Sequence, residues 1–256
     1  MTPPALRATS PASLGRKGFR NMKVWNWEGF WSYFTNLYLL EGALWTIGLT
    51  ISTLILGGLL GLVLAVMRLS KHKAVSRTAQ GYVWIFRGTP LLVQLIIIYT
   101  GLPQLGLVRF TVLESAVIGL ALNEAAYLSE ILRGGILSVA KGQTEAARAL
   151  GLKPWLIYSK VVMPQALRVI IPPLGNSVNG LLKTTSIASV ISMEEVLRRG
   201  QILMQQKFQV LEVFMVVAII YLVMTTCWDF VQRRIEAYYG KAYGAAVDQQ
   251  LARDDH

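Results

Sequence analysis

Two acidic residues lie in an apolar run covering about residues 112–132, Glu124 nearer its middle and Glu130 near its end. A carboxylate held away from water is costly unless it meets a cation, a hydrogen-bond donor or a polar cavity, so each needs a partner. Six positions separate them, about 240° of helical rotation, so they cannot share one face. Glu130 has Arg133 three residues on and is read as half of a structural ion pair. Glu124 has Asn123 beside it and no local base, which makes it the candidate to contact a substrate ammonium or guanidinium. In a second apolar run, residues 169–191, Asn176, Asn179 and Lys183 recur at i, i+3 and i+7 as one polar stripe. Such a stripe in lipid needs a pore, a partner helix or both. Lys183 can attract a substrate carboxylate, or it can pair with Glu124 or with carbonyls and hold the bundle; both readings stand.

Other chemistry is thinly supplied. The single cysteine, Cys227, lies in an apolar run, and the histidines are His72 and His256 alone, so no disulfide framework, Cys/His metal site or catalytic cluster is expected. No G-x-x-x-x-G-K-[ST] phosphate loop occurs, the one Gly-Lys pair being Gly240-Lys241, so ATP hydrolysis is not expected here. No cofactor is called for.

The elements that must carry these residues follow from composition. The chain has 256 residues, 54% hydrophobic and 15% charged, and a mean hydropathy of +0.46. Soluble domains carry roughly 25% charged residues. Charges are gathered in blocks between apolar stretches of about 20 residues, the length that crosses a hydrocarbon core as helix. The expectation is an all-α integral membrane protein with five transmembrane helices, near residues 42–67, 86–105, 112–132, 169–191 and 210–230. Gly57, Gly58 and Gly61 in the first give a small-residue face for close helix packing. In the second, Thr89 is placed to cap and Pro90 to open the helix, with an extension back through Tyr82 to Phe86. The net charge of +11 lies in connections rather than on an aromatic-lined face, which argues against nucleic acid.

Arg68, Lys71, Lys73, Arg77 and Arg87 follow the first span, and the basic residues between Arg133 and Arg168 follow the third; both connections are expected to be cytoplasmic. That places the amino terminus outside and the carboxyl terminus inside. Five bases before the first span oppose this, and a natural start at Met22 would remove all but Lys23. The expected divisions are a basic tail (1–24), disordered or non-native; an interfacial aromatic segment (25–40); a five-span domain (41–236); and a cytoplasmic tail (237–256). Beyond the fourth span, Ser192 and Glu195 read as a capping box, with Glu194–Arg198 and Glu195–Arg199 pairs on a solvated outer helix.

The connection at 137–167 has helical punctuation of its own. Gly142 can cap, Glu145 suits a first turn, Gly151 can end the helix and Pro154 can open another. Ala146, Ala147, Ala149 and Leu150 then form a small apolar surface that either docks in a partner groove or packs on its own bundle.

These residues carry a resemblance. Glu145-Ala146-Ala147, then Gly151, then Val161-Val162-Met163-Pro164 resembles the EAA signature of ABC-importer permeases, EAA-x3-G-x9-I-x-L-P, with Val161 for Ile and Met163 for Leu. Phe86-Arg87-Gly88-Thr89-Pro90, Glu130-Ile131-Leu132-Arg133-Gly134-Gly135, Pro164-Gln165-Ala166 and Leu182-Lys183-Thr184-Thr185-Ser186 are similar to the polar amino-acid permeases, the histidine/glutamine/arginine type. The resemblance implies the type I importer permease fold and a non-enzymatic transport subunit in the bacterial inner membrane. It implies a loop in which Glu145, Ala146, Ala147, Gly151 and Pro164 couple to a cytoplasmic ATPase. Its expected partners are ATPase subunits, a second permease chain, same or homologous, an extracytoplasmic amino-acid-binding protein and the bilayer. A secondary transporter or a membrane scaffold without an ATPase are the alternatives; neither accounts for the EAA spacing, and no internal repeat supports the first.

Overall fold

The structure is a computed structural model that describes residues 25–254, with side chains through Tyr239. The expected basic tail and the start at Met22 lie outside the described residues. Nine principal helices, and no strand, are found among the described residues: α1 (Trp27–Phe34), α2 (Leu37–Arg68), α3 (Lys73–Gly88), α4 (Leu91–Gln104), α5 (Val112–Leu137), α6 (Lys141–Ala149), α7 (Met163–Thr184), α8 (Val196–Lys207) and α9 (Val210–Asp254).

α2 and α5 form the centre. α2 is capped by Asn36, which accepts from the Tyr38 N–H at 3.0 Å, and its interior carries no charge between Glu41 and Arg68. Its glycines bring it against α5 backbone to backbone: a Cβ on Gly57 would lie 3.1 Å from the Ala121 carbonyl, and one on Gly61 3.1 Å from that of Ala125. The contacts advance together, so the two helices run parallel. Gly58, by contrast, meets only Leu128 at 3.9 Å. α5 opens with a capping box in which Thr111 and Glu114 satisfy each other's backbone N–H.

α3 and α4 correct the expected second span. Thr89 is extended (φ −120°, ψ 146°), as the residue before a proline prefers, and Pro90 precedes α4 instead of lying inside it. The chain turns by 101° there, so Tyr82 to Phe86 belongs to a different helix from the apolar segment that follows. Gln94 mends the break, its amide donating to the Phe86 carbonyl at 3.0 Å and to Thr89 Oγ1 at 2.8 Å. α3 is fastened to α5 by the Tyr82 hydroxyl on the Leu122 carbonyl, 2.8 Å.

By length and composition, α2, α5 and residues 210–239 of α9 can each cross a membrane, and α3–α4 make a fourth span if the bent pair counts as one. α7 has 22 residues but fails on polarity, so the expected five are not all reproduced on these criteria. It carries Pro172 and Pro173 and is entered from Pro154–Leu156 through a π-helical turn, Ile157–Val162. The aromatic segment expected as one helix is broken at Thr35–Asn36 into α1 and the start of α2.

Two apolar cores fix the bundle. Leu49, Leu95, Leu120, Leu181 and Ile191 join α2, α4, α5 and α7. Phe30, Tyr33, Leu39, Val196, Val213 and Val216 join α1, α2, α8 and α9. α8 is thus no solvated helix, and the capping box is not the one expected. Ser192 is left-handed (φ 68°), and Glu195 itself caps α8, fully buried. Arg199 meets Glu41 at 2.8 Å and Glu194 at 3.8 Å in place of Glu195, because Glu195's oxygens are taken by backbone N–H groups and the Tyr221 hydroxyl.

Candidate functional site

Where α3 turns into α4, the break leaves room against α5 and α7. A cavity of about 570 Å³ results, walled by Arg87, Thr89, Asn123, Glu124, Tyr127 and Ser177, with Leu91 and Leu181 beneath. Glu124 and Tyr127 project from one face of α5, as their i,i+3 spacing requires. Asn123 is turned into the scaffold: its amide donates to Gln94 Oε1 and to the Phe86 carbonyl, both at 3.1 Å, pinning the break to α5. The carboxylate of Glu124 is buried and accepts a hydrogen bond from the Ser177 hydroxyl of α7. No cation is ion-paired with it among the described residues. Such a group, polar on one side and open to a cavity on the other, is equipped to receive a positively charged ligand.

Toward the end of α5, Glu130 holds Arg133 at 3.0 Å, the pair expected from spacing. The structure adds two bases from elsewhere. Arg68, the last residue of α2, is paired directly with Glu130, and Arg87 approaches it at 3.6 Å while lying 5.2 Å from the centre of the Tyr127 ring. Spacing could not reveal these long-range partners, although the α5 face shared with Tyr127 was available in the sequence.

The polar stripe on α7 faces α9, away from the Glu124 cavity. Asn176 Oδ1 accepts from Gln232 at 3.2 Å, Asn179 donates to Asp229, and Lys183 donates to Asn179 Oδ1 at 2.9 Å. Lys183 does not pair with Glu124, because Ser177, one position beyond Asn176, is the residue turned to α5. The stripe holds two helices together, and Lys183 opens onto a separate groove with Tyr221 and Phe214.

α6 is present as expected, but Ala140 takes the cap position without a side-chain bond, and Gly142 lies inside the helix. Of its small residues, Ala147 is buried with Ile157 and Val162, so that one faces the bundle. Ala146 and Ala149 are exposed and Leu150 is 81% exposed, leaving a bare apolar edge beside Glu145. Gly151 ends the helix at φ +74°, a conformation that favours glycine, and Pro164 lies at the start of α7.

Spanning helices around a polar cavity, with a bare apolar edge outside the bundle, fit the class of membrane permeases. Comparison with known proteins gives its family. Residues 57–239 match the model of the binding-protein-dependent transport system inner membrane component. An arginine transport system permease protein of Corynebacterium glutamicum, ArgU, is 38% identical over 86% of this chain and 74% of its own. A probable amino-acid permease protein of Bacillus subtilis, YxeN, is 36% identical over 87% of this chain and 99% of its own. Among solved structures, an amino acid ABC transporter with histidines superposes with a TM-score of 0.74 at 37% identity, covering 78% of this chain and 94% of that one. The chain therefore belongs to the binding-protein-dependent inner membrane transport components and, within them, to the amino-acid ABC permeases: transport subunits, not enzymes.

Proposed function

We propose that this chain forms the translocation path for a polar amino acid in an ATP-driven importer, and that α6 receives the stroke of a separate ATPase subunit. The observation that carries the reading is the cavity at the α3–α4 break, where the buried Glu124 carboxylate is hydrogen-bonded to a hydroxyl and ion-paired with no cation among the described residues. An ammonium or guanidinium group entering there completes the charge. The relatives' names, an arginine permease and a probable amino-acid permease, favour the same substrate class.

Coupling belongs to Glu145, Ala146, Ala147, Gly151 and Pro164. Ala147 anchors α6 to the bundle, and the exposed Ala146–Leu150 edge docks into the ATPase. Because the π turn at Ile157–Val162 and then α7 follow α6 without a long loop, displacement of α6 is passed to the helix that carries Ser177. In this reading residues 41–236 are the five-span domain, with α7 the span tolerated through its polar contacts to α9. A second permease chain completes the pathway and an extracytoplasmic binding protein delivers substrate. The complex lies in the bacterial inner membrane, amino terminus outside and carboxyl terminus cytoplasmic.

The test is reconstitution with the ATPase and the binding protein. Glu124→Gln is expected to reduce uptake at least about tenfold, consistent with loss of a charge-assisted contact, while leaving substrate-independent ATP hydrolysis unchanged. Ala146→Asp with Leu150→Asp is expected to abolish stimulated hydrolysis without unfolding the permease. Full uptake by both variants would sink the reading.

A further inference from the structure

A second cavity, of about 350 Å³, lies between α6, the end of α5 and the π turn. Its floor is apolar, with Ile136 from α5 and the buried Ile157 and Val162 from the π turn. Its α6 edge carries Lys141 and Arg148, seven residues apart and so two turns along one face. Neither cation is ion-paired among the described residues, and no acid lines the cavity. Glu145, between them in the chain, is paired with neither. Leu150 lies nine residues after Lys141, two and a half turns, on the opposite side of α6. A partner docked on the Ala146–Leu150 edge therefore leaves the cavity open.

The surroundings say what fills it. An apolar floor under a basic rim matches a ligand with an anionic head and an apolar tail. Leu137, the last residue of the spanning helix α5, lines the cavity and is 57% exposed. Tyr158 on the rim and Trp155, three residues before it, also stay exposed, as aromatics at a membrane interface do. The mouth thus lies at the membrane edge, on the cytoplasmic side in the orientation proposed above. We infer that the cavity binds an anionic phospholipid of the inner leaflet, with Lys141 and Arg148 holding the phosphate and one acyl chain entering over Ile136, Ile157 and Val162. Basic pockets at the cytoplasmic ends of spanning helices recruit anionic headgroups through the same attraction.

Native mass spectrometry of the permease assembled with its ATPase tests this. The probes are phosphatidylglycerol, phosphatidylcholine with the same acyl chains, and glycerophosphoglycerol, which is the first headgroup without chains. The unaltered complex is expected to bind phosphatidylglycerol at least about tenfold more tightly than either of the others, the scale of one charge-assisted contact. Lys141→Gln with Arg148→Gln, both at exposed positions, should bring phosphatidylglycerol down to the affinity of phosphatidylcholine in complexes that retain the ATPase. Lys153→Gln with Lys160→Gln, exposed cations of the same loop that do not line the cavity, should leave it within about twofold. Equal binding of the two phospholipids by the unaltered complex overturns the inference and assigns the two cations to an acidic surface of the ATPase instead. Glycerophosphoglycerol binding as tightly as phosphatidylglycerol also overturns it, since the site would then take a soluble anion. So does an equal loss from both pairs of substitutions, which would trace the preference to the charge of the loop and not to the cavity.

Discussion

Glu195 illustrates how a single buried carboxylate ties an outer helix to the bundle. Its oxygens accept from the N–H groups of Leu197 and Arg198 at 2.9 and 2.8 Å and from the Tyr221 hydroxyl at 2.6 Å. Burial pushes its carboxyl above the ordinary range, and those three donors pull it part of the way back. Because the folded form binds the proton more tightly than the unfolded one, the group's contribution is fully present below the unfolded value of about 4.3. It is lost as pH rises toward the raised folded value. Thermal unfolding of the purified complex is therefore expected to show a melting temperature that falls with rising pH through that window. Glu195→Gln should flatten the slope. It should also lower stability at the acid end by about 1 kcal/mol, since glutamine is a poor cap and its amide turns N–H toward N–H. An unchanged slope would place the titrating group elsewhere. Glu124 is the contrasting residue: also buried, it keeps one hydroxyl donor and lines open space, which is why a ligand-binding role is proposed for it and not a structural one.

At the scale of the helix, the α2–α5 interface depends on missing side chains. A Cβ at Gly61 would meet the Ala125 carbonyl at 3.1 Å and Leu128 Cβ at 3.0 Å, and backbone cannot step aside as a side-chain tip can. Gly61→Ala is expected to cost about 1–3 kcal/mol by forced separation. Gly48→Ala, where nothing lies within 4 Å, should be neutral or stabilising because alanine favours helix. Thermal unfolding of the two variants side by side checks the pair, and equal effects would refute close packing as the cause. This interface was legible in the sequence, since a glycine repeat in an uncharged run has few other uses. So were the Glu130–Arg133 pair and the Gly151 end of α6, which depend on close neighbours in the chain; the start of α6 was not, since Gly142 lies inside the helix and Glu145 beyond its first turn. The α3–α4 turn was not, because Thr89-Pro90 serves equally to open a helix or to separate two, and Gln94 decides it from within the following segment. Nor was the direction of the Asn176–Lys183 stripe: spacing shows that three residues share a face, while the partner on that face, Asp229 and Gln232 of α9, lies some fifty residues away.

For the molecule as a whole, the two ends are chemically unlike, and this fixes the orientation to be tested. Arg68, Arg133 and the basic residues of α6 and the loop after it, Lys141, Arg148 and Lys153, gather at the end where α2 and α5 finish. The opposite end has α1 and α8 packed on the start of α9. There Asn26 donates to Glu212 at 2.7 Å and Tyr33 to Gln209 at 2.7 Å, and Trp27 and Trp31 remain exposed at the rim as interfacial aromatics do. Positive charge favours the cytoplasmic side, so α6 is expected inside and the α8–α9 turn outside. Cys227 is exposed and must first be removed, for example as Cys227→Ala. In that background Thr144→Cys on α6 should react with a membrane-impermeant maleimide in inside-out vesicles alone. Gln206→Cys, exposed at the end of α8, should react in intact spheroplasts. The inverse pattern would place α6 outside, away from any cytoplasmic ATPase, and the coupling role proposed for Glu145 to Pro164 would fall with it.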